Sequence, residues 1–150
     1  MHIYDVSTPA DVSLVAATAK TVLTWINPST RRSRVLEIEI GGASITATDG
    51  PMLVEIVRYT TDGTGTTSGT PGPRDPGNPA ALGSSRYNYS VEPTGGTVAF
   101  STRLSPIGGT LFVPMSPDRF PVTAVSNLIG IRLTSPAAQS GIRASLCVEE

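Results

Sequence analysis

The chain has 150 residues, with thirteen prolines, fifteen glycines, 15% charged side chains and a formal net charge of −1. That length suits one domain with its own core and is too short for two well-packed ones. The near-neutral charge offers no broad basic field to nucleic acid or an anionic membrane surface, and no run approaches the apolar length of a membrane helix.

Residues 1–13 contain few large apolar side chains and carry Pro9 among small polar residues, so they are expected to form an extended N-terminal arm outside the core. Removing them is then expected to leave the fold intact. The opening Met1-His2-Ile3-Tyr4-Asp5-Val6 lacks the basic region and apolar run of a secretory signal, which points to synthesis in a cytoplasm. Val15 to Lys20 tolerate a helix, but Thr21-Val22-Leu23-Thr24-Trp25-Ile26 is β-branched and aromatic and predicts a strand. Asn27-Pro28-Ser29-Thr30 ends it with turn chemistry.

Alternation over Val35–Ile40 places Leu36, Ile38 and Ile40 on one face and Val35, Glu37 and Glu39 on the other, the pattern of a half-buried strand. A short strand is expected at Ile45–Thr48 and a long one at Met52–Tyr59. Thr61–Ser85 is rich in glycine, proline and threonine and nearly devoid of apolar side chains. It reads as a long projecting surface loop. Further strands are expected at Arg86–Val91, Thr97–Leu104, Thr110–Val113, Leu128–Leu133 and Ile142–Val148, with an edge strand at Phe120–Val125 because Pro121 cannot donate to a central ladder. Eight or nine short strands separated by turn residues predict an all-β fold, a single antiparallel β-sandwich of jelly-roll type spanning residues 14–150.

The residues supply little catalytic chemistry. His2 is the only histidine and lies on the arm, so no triad has a fixed base. Cys147 is the only cysteine, which excludes an intrachain disulfide. It falls on the face opposite the inward residues of its strand, without a basic neighbour to activate it. Glu37 and Glu39 lie two apart on one strand face, about 6.6 Å along the backbone, within the carboxylate spacing of inverting glycosidases. Solvation, or pairing with Arg34 or Arg58 across the ladder, accounts for them better, since no pocket-forming aromatic cluster accompanies them. Asp62, Asp75 and Glu55 do not fit a calcium loop, one cysteine and one histidine cannot build a structural zinc site, and Gly63–Ser68 lacks the lysine of a phosphate loop. No cofactor is expected. Trp25, Tyr59, Tyr87 and Tyr89 are the candidates for an aromatic platform of the kind a glycan-binding module needs.

Ten arginines against the single Lys20 favour planar forked donors, the type enriched at protein interfaces. Arg31, Arg32 and Arg34 cluster in a turn as if to meet an acidic neighbour. They join Arg74 of the loop and Ile3, Tyr4 and Val6 of the arm as expected interface residues. An arm and a long loop are segments with which one subunit wraps another, becoming ordered on the partner.

In Ala19-Lys20-Thr21-Val22-Leu23, Pro51 to Arg58, Thr60-Thr61-Asp62-Gly63-Thr64, Glu92-Pro93-Thr94, Gly130-Ile131-Arg132-Leu133-Thr134-Ser135-Pro136-Ala137 and Glu149-Glu150, the chain resembles small virion proteins of tailed bacteriophages, especially those with actinobacterial hosts. The resemblance spans most of residues 19–150 as an order of strands and turns, without a counterpart for Thr61–Ser85. It implies a capsid decoration or cement protein, commonly a homotrimer, set on the outside of a head lattice. The expected partners are the major capsid protein and further copies of the chain itself, with neither nucleic acid nor membrane bound. The expected location is the virion surface. A tail, fibre or baseplate module binding host glycans is the alternative, and an enzyme using Glu37 and Glu39 a more distant one.

Overall fold

The computed structural model describes residues 1–42, 50–67, 70–105, 110–114 and 122–150. In chain order the strands are β1 (Ile3–Ser7), β2 (Val12–Leu14), β3 (Ala19–Ile26), β4 (Arg34–Gly41), β5 (Met52–Tyr59), β6 (Thr64–Thr67), β7 (Gly72–Pro73), β8 (Ser84–Val91), β9 (Thr97–Leu104), β10 (Thr110–Pro114), β11 (Leu128–Thr134) and β12 (Gln139–Glu149). They form two antiparallel sheets packed face to face, the expected all-β sandwich. The first sheet runs β10-β4-β12-β1-β7, with β2 also on β12; the second runs β6-β8-β3-β11-β5-β9. The strand expected at Ile45–Thr48 lies outside the described residues, as do Phe120 and Pro121 of the expected edge strand. Val122 contributes one bridge, to Arg34.

Period-two alternation builds the core. Ile129, Ile131 and Leu133 of β11 and Met52, Val54 and Ile56 of β5 point inward from the second sheet and are fully buried. Ile38 and Ile40 of β4 and Ile142, Ala144, Leu146 and Val148 of β12 meet them from the first. Trp25 is completely buried. Its indole N–H donates to Ser33 Oγ at 2.9 Å, and its ring stacks on Tyr4 with centroids 6.2 Å apart. An indole hidden this deeply needs that hydrogen bond, since an unpaired buried donor costs about 1–3 kcal/mol.

In β4, Cys147 of β12 stands opposite Glu37, while Val148 stands opposite Val35. Leu36 is therefore the extra residue of a β-bulge. The parity of the strand changes there, so Val35 turns into the core and Leu36 is left half-buried, the reverse of what simple alternation gives.

Residues 1–13 are extended, but they are packed into the sandwich and do not project from it. β1 pairs with β12 from Ile3 opposite Glu149 to Ser7 opposite Ser145, and with β7 on its other side. Its alternation sends Tyr4 and Val6 into the core, and Val12 follows from β2. Thr8 extends the pairing: its amide donates to the Ala144 carbonyl at 2.9 Å, and its Oγ1 accepts from the Ala144 amide at 3.2 Å.

The Thr61–Ser85 segment lies on the surface but is laced to both sheets rather than projecting. β6 pairs with β8 in the second sheet and β7 with β1 in the first. Tyr4 Oη donates to the Pro79 carbonyl at 3.1 Å, and the amides of Leu82 and Gly83 donate to the Glu150 carboxylate at 3.3 and 3.0 Å. Gly83 sits where a Cβ would lie 2.3 Å from the Trp25 ring, so only glycine lets this return strand close over the indole.

Candidate interaction surface

The outward side chains of the first sheet line up in cross-strand rows. One row runs Gly72, Asp5, Cys147, Glu37 and Pro114 across β7, β1, β12, β4 and β10; the next runs Ser7, Ser145, Glu39 and Phe112. Arg74, delivered by the segment after β7, lies over the first row. Its Nη2 donates to Asp5 Oδ1 at 2.8 Å and to Glu37 Oε2 at 3.1 Å, while Nε donates to Asp5 Oδ2 at 3.1 Å. The fork clamps two strands that β12 keeps apart, and the hydrogen bonds to both carboxylates hold the guanidinium firmly protonated. Beside it is a shallow depression of about 240 Å³ lined by Asp5, Glu37, Glu39, Arg74, Phe112 and Ser145, among others.

Cys147 faces this side of the sheet, as its parity predicts, yet it is only 4% exposed. Burial pushes its thiol up to about 12. Arg74 pulls the other way, and Asp5 and Glu37 add to the rise. Burial also raises the Tyr59 and Tyr89 phenols of the second sheet, and Tyr89 is raised further by donating to Asp62. All three groups are held in their neutral forms by the fold. The stability they contribute is complete below their ordinary values and is lost as pH rises through the folded ones. We expect the unfolding free energy read from urea titrations to fall above about pH 9, at about 1.4 kcal/mol per pH unit for each group engaged, with the urea midpoint falling alongside. Cys147→Ala should abolish the decline between about pH 9 and 10, where the free thiol but not the free phenols titrates. A midpoint unchanged up to pH 11 contradicts this account.

The turn after β3 carries the arginine cluster. It is pinned by Asn27, whose Nδ2 donates to the carbonyls of Thr123 and Ala124 at 3.1 and 2.8 Å, and by the Trp25–Ser33 bond. Arg34 is ion-paired with Glu149 of β12. Arg31 and Arg32 are exposed and make no ion pair among the described residues. The expected interface set thus divides. Tyr4 and Val6 are consumed by the chain's own core and cannot meet a partner, because their strand alternates into the sandwich. Ile3 is half-buried opposite Glu149, and Arg34 and Arg74 are engaged within the chain, while Arg31 and Arg32 face solvent.

Of the paired carboxylates, Glu37 is held by Arg74 and Glu39 is exposed. Neither has the buried surroundings that would set two carboxyl groups apart as acid and base. Trp25, Tyr59 and Tyr89 are buried and Tyr87 is half-buried, so these four rings make no exposed platform. Among the described residues the exposed ring is Phe112, 55% accessible and directly opposite Glu39. The alternation of Leu111-Phe112-Val113 carries the signal, since it sets Phe112 opposite in parity to its neighbours. His2 exchanges backbone hydrogen bonds with Glu150 at the end of β1. Among the described residues no three His, Cys, Asp or Glu side chains converge as a metal site, and no helix is long and apolar enough to cross a membrane.

The outward face of the second sheet is bound up in polar contacts of its own. The Glu92 carboxylate accepts from the Thr21 amide at 2.9 Å and from the Thr21 hydroxyl, which also meets Tyr59 Oη at 2.8 Å. Tyr89 Oη contacts Thr24 Oγ1 at 2.7 Å and donates to Asp62 at 2.9 Å. Asp62 pairs with Arg86, and Glu55 with Arg132 at 2.9 Å. A scan of protein-family models and a search of curated proteins return no match to this chain.

Proposed function

We propose that this chain is a non-enzymatic structural subunit of a tailed-phage virion, a decoration or cement protein. In this reading it sits on the outside of the head as a homo-oligomer, with a trimer the form the resemblance implies, and holds neighbouring units of the major capsid protein together. It binds neither nucleic acid nor membrane and needs no cofactor.

The observation that carries this reading is where the segments of resemblance meet. Lys20–Leu23, Pro51–Arg58 and Gly130–Thr134 lie far apart in sequence but occupy β3, β5 and β11, three adjacent strands of one sheet. The short matches between them join the same face: Glu92 caps the Thr21 amide, Thr61 bridges to Thr94, and Arg132 pairs with Glu55. Most of the fragments converge on this one cross-linked face, with Glu149-Glu150 lying instead at the end of β12 in the first sheet, and that convergence suits inheritance of a common sheet better than coincidence. A sandwich cross-tied on both outer faces also suits a part that bears load by staying rigid while its surfaces adhere to others.

Quantitative mass spectrometry of purified particles tests the proposal. A cement subunit is expected at hundreds of copies, in fixed ratio to the main shell protein. A handful of copies per particle favours the tail or baseplate reading, and absence from particles removes the proposal.

A further inference from the structure

The geometry points to a head-to-tail contact between copies of this chain, in which Arg31 and Arg32 of one copy dock on the Glu39–Phe112 patch of the next. The inference deepens the assembly reading above and rests on it only for the existence of a homo-oligomer. The acceptor is a pair of side chains directly opposite each other in register: Glu39 on β4, exposed and without an ion pair among the described residues, and Phe112 on β10, 55% exposed. Side chains opposed in this way stand about 4.5–5.5 Å apart at Cβ. A carboxylate at that distance from a bare aromatic face suits a guanidinium, which stacks on the ring while its N–H groups pair with the oxygens. A lysine lacks the planar face for this.

The surroundings favour a cation. Asp5, Glu37 and Glu39 border the same depression, and Arg74 is the only cation lining it among the described residues. Its Nη2 and Nε already serve Asp5 and Glu37, and Arg143, which borders Glu39 in a second depression, is ion-paired with Asp11, so Glu39 keeps no ion pair among the described residues. The matching donors are on the same chain. Arg31 and Arg32 are adjacent, exposed and unpaired among the described residues. They project from a turn fixed to the body by Asn27 and Ser33. Donor and acceptor occupy different places on the first sheet, the turn before β4 and the middle of its outer face. The contact is therefore heterologous, and repeating it closes a ring when the rotation permits.

Sedimentation of the full chain over a range of concentrations at low salt tests this. The wild type is expected to associate. Glu39→Arg, and separately Arg31→Glu with Arg32→Glu, should each weaken association by roughly 10- to 100-fold, as like charges face each other across the contact. Combining all three reversals restores opposite charges at the same place and should recover association. Arg103→Glu, which reverses another exposed arginine on the second sheet, should change little. Trp25 emission monitors the fold of every variant. A wild type that remains monomeric, reversals without effect, a combined variant that stays dissociated, or equal loss in Arg103→Glu would each overturn the contact. Head occupancy, measured separately, keeps the two readings distinct: a monomer found in many copies on heads ends the contact and leaves the virion role, whereas an associating chain absent from particles does the opposite.

Discussion

A chain lacking residues 1–13 is expected to lose its cooperative fold. β1 is held between β12 and β7, and its removal strips β7 of its partner and leaves β12 paired on one side alone, with β4. Tyr4, Val6 and Val12 go with the segment. Three buried side chains of this kind contribute on the order of 5–9 kcal/mol together, comparable with the whole stability of a domain, about 5–15 kcal/mol. Trp25 also loses the ring stacked on it. Tyr4→Ala is the milder version and should cost about 3–5 kcal/mol. Circular dichroism melts of both proteins, with near-ultraviolet signal from Trp25, provide the check. A truncated chain melting cooperatively within a few degrees of the full one would mean that β1 is dispensable.

Gly130→Ala is expected to be strongly damaging for a single added methyl in the middle of the second sheet. Gly130 lies in β11 between β3 and β5, and an added Cβ would fall 2.7 Å from Thr24 Cγ2 and 2.9 Å from the Leu23 carbonyl oxygen. Neither neighbour can yield cheaply. Leu23 is ladder backbone, and Thr24 is fixed through its hydroxyl to Tyr89. Overpacking of this kind costs about 2–3 kcal/mol, or roughly 5–10 °C in Tm for a domain of this size. Gly41→Ala is the control: nothing lies within 4 Å of its added Cβ, and its melt should be unchanged. Equal melting of the two variants would show that the β3–β11 approach is looser than these distances.

Side-chain alternation made most of the sandwich legible. β5, β9, β11 and β12 announce themselves because their apolar residues recur every second position and turn residues bracket them. The same signal was present but weaker in β1, where Tyr4, Val6 and Thr8 share a face. Short length and the nearby Pro9 concealed it. β6 and β7 carry no such signal. Thr64–Thr67 and Gly72–Pro73 join their sheets through backbone hydrogen bonds that any residue with a free amide can make, and composition therefore reads them as loop. The bulge at Leu36 is invisible for another reason: it depends on the register chosen with β12, a hundred residues away in sequence.

The candidate interaction surface was half legible. Arginine usage singled out Arg31 and Arg32, and parity placed Glu37, Glu39 and Cys147 on one face. What alternation within one strand cannot supply is the neighbour across the ladder. Phe112 acquires meaning only beside Glu39, and Arg74 becomes a clamp only when β7 delivers it above Asp5 and Glu37.

The pairing of β1 with β12 also bears on how the molecule comes into being. Residues 3–7 pair along their whole length with residues 145–149 and touch β7 at only two positions, so the first sheet cannot close until that distant stretch has emerged from the ribosome. Until then Tyr4 and Val6 wait uncovered beside an open strand edge. Such non-local closure is slow and prone to capture by neighbouring nascent chains. Soluble yield should accordingly depend on expression rate and temperature more steeply than the stability of the finished sandwich would suggest.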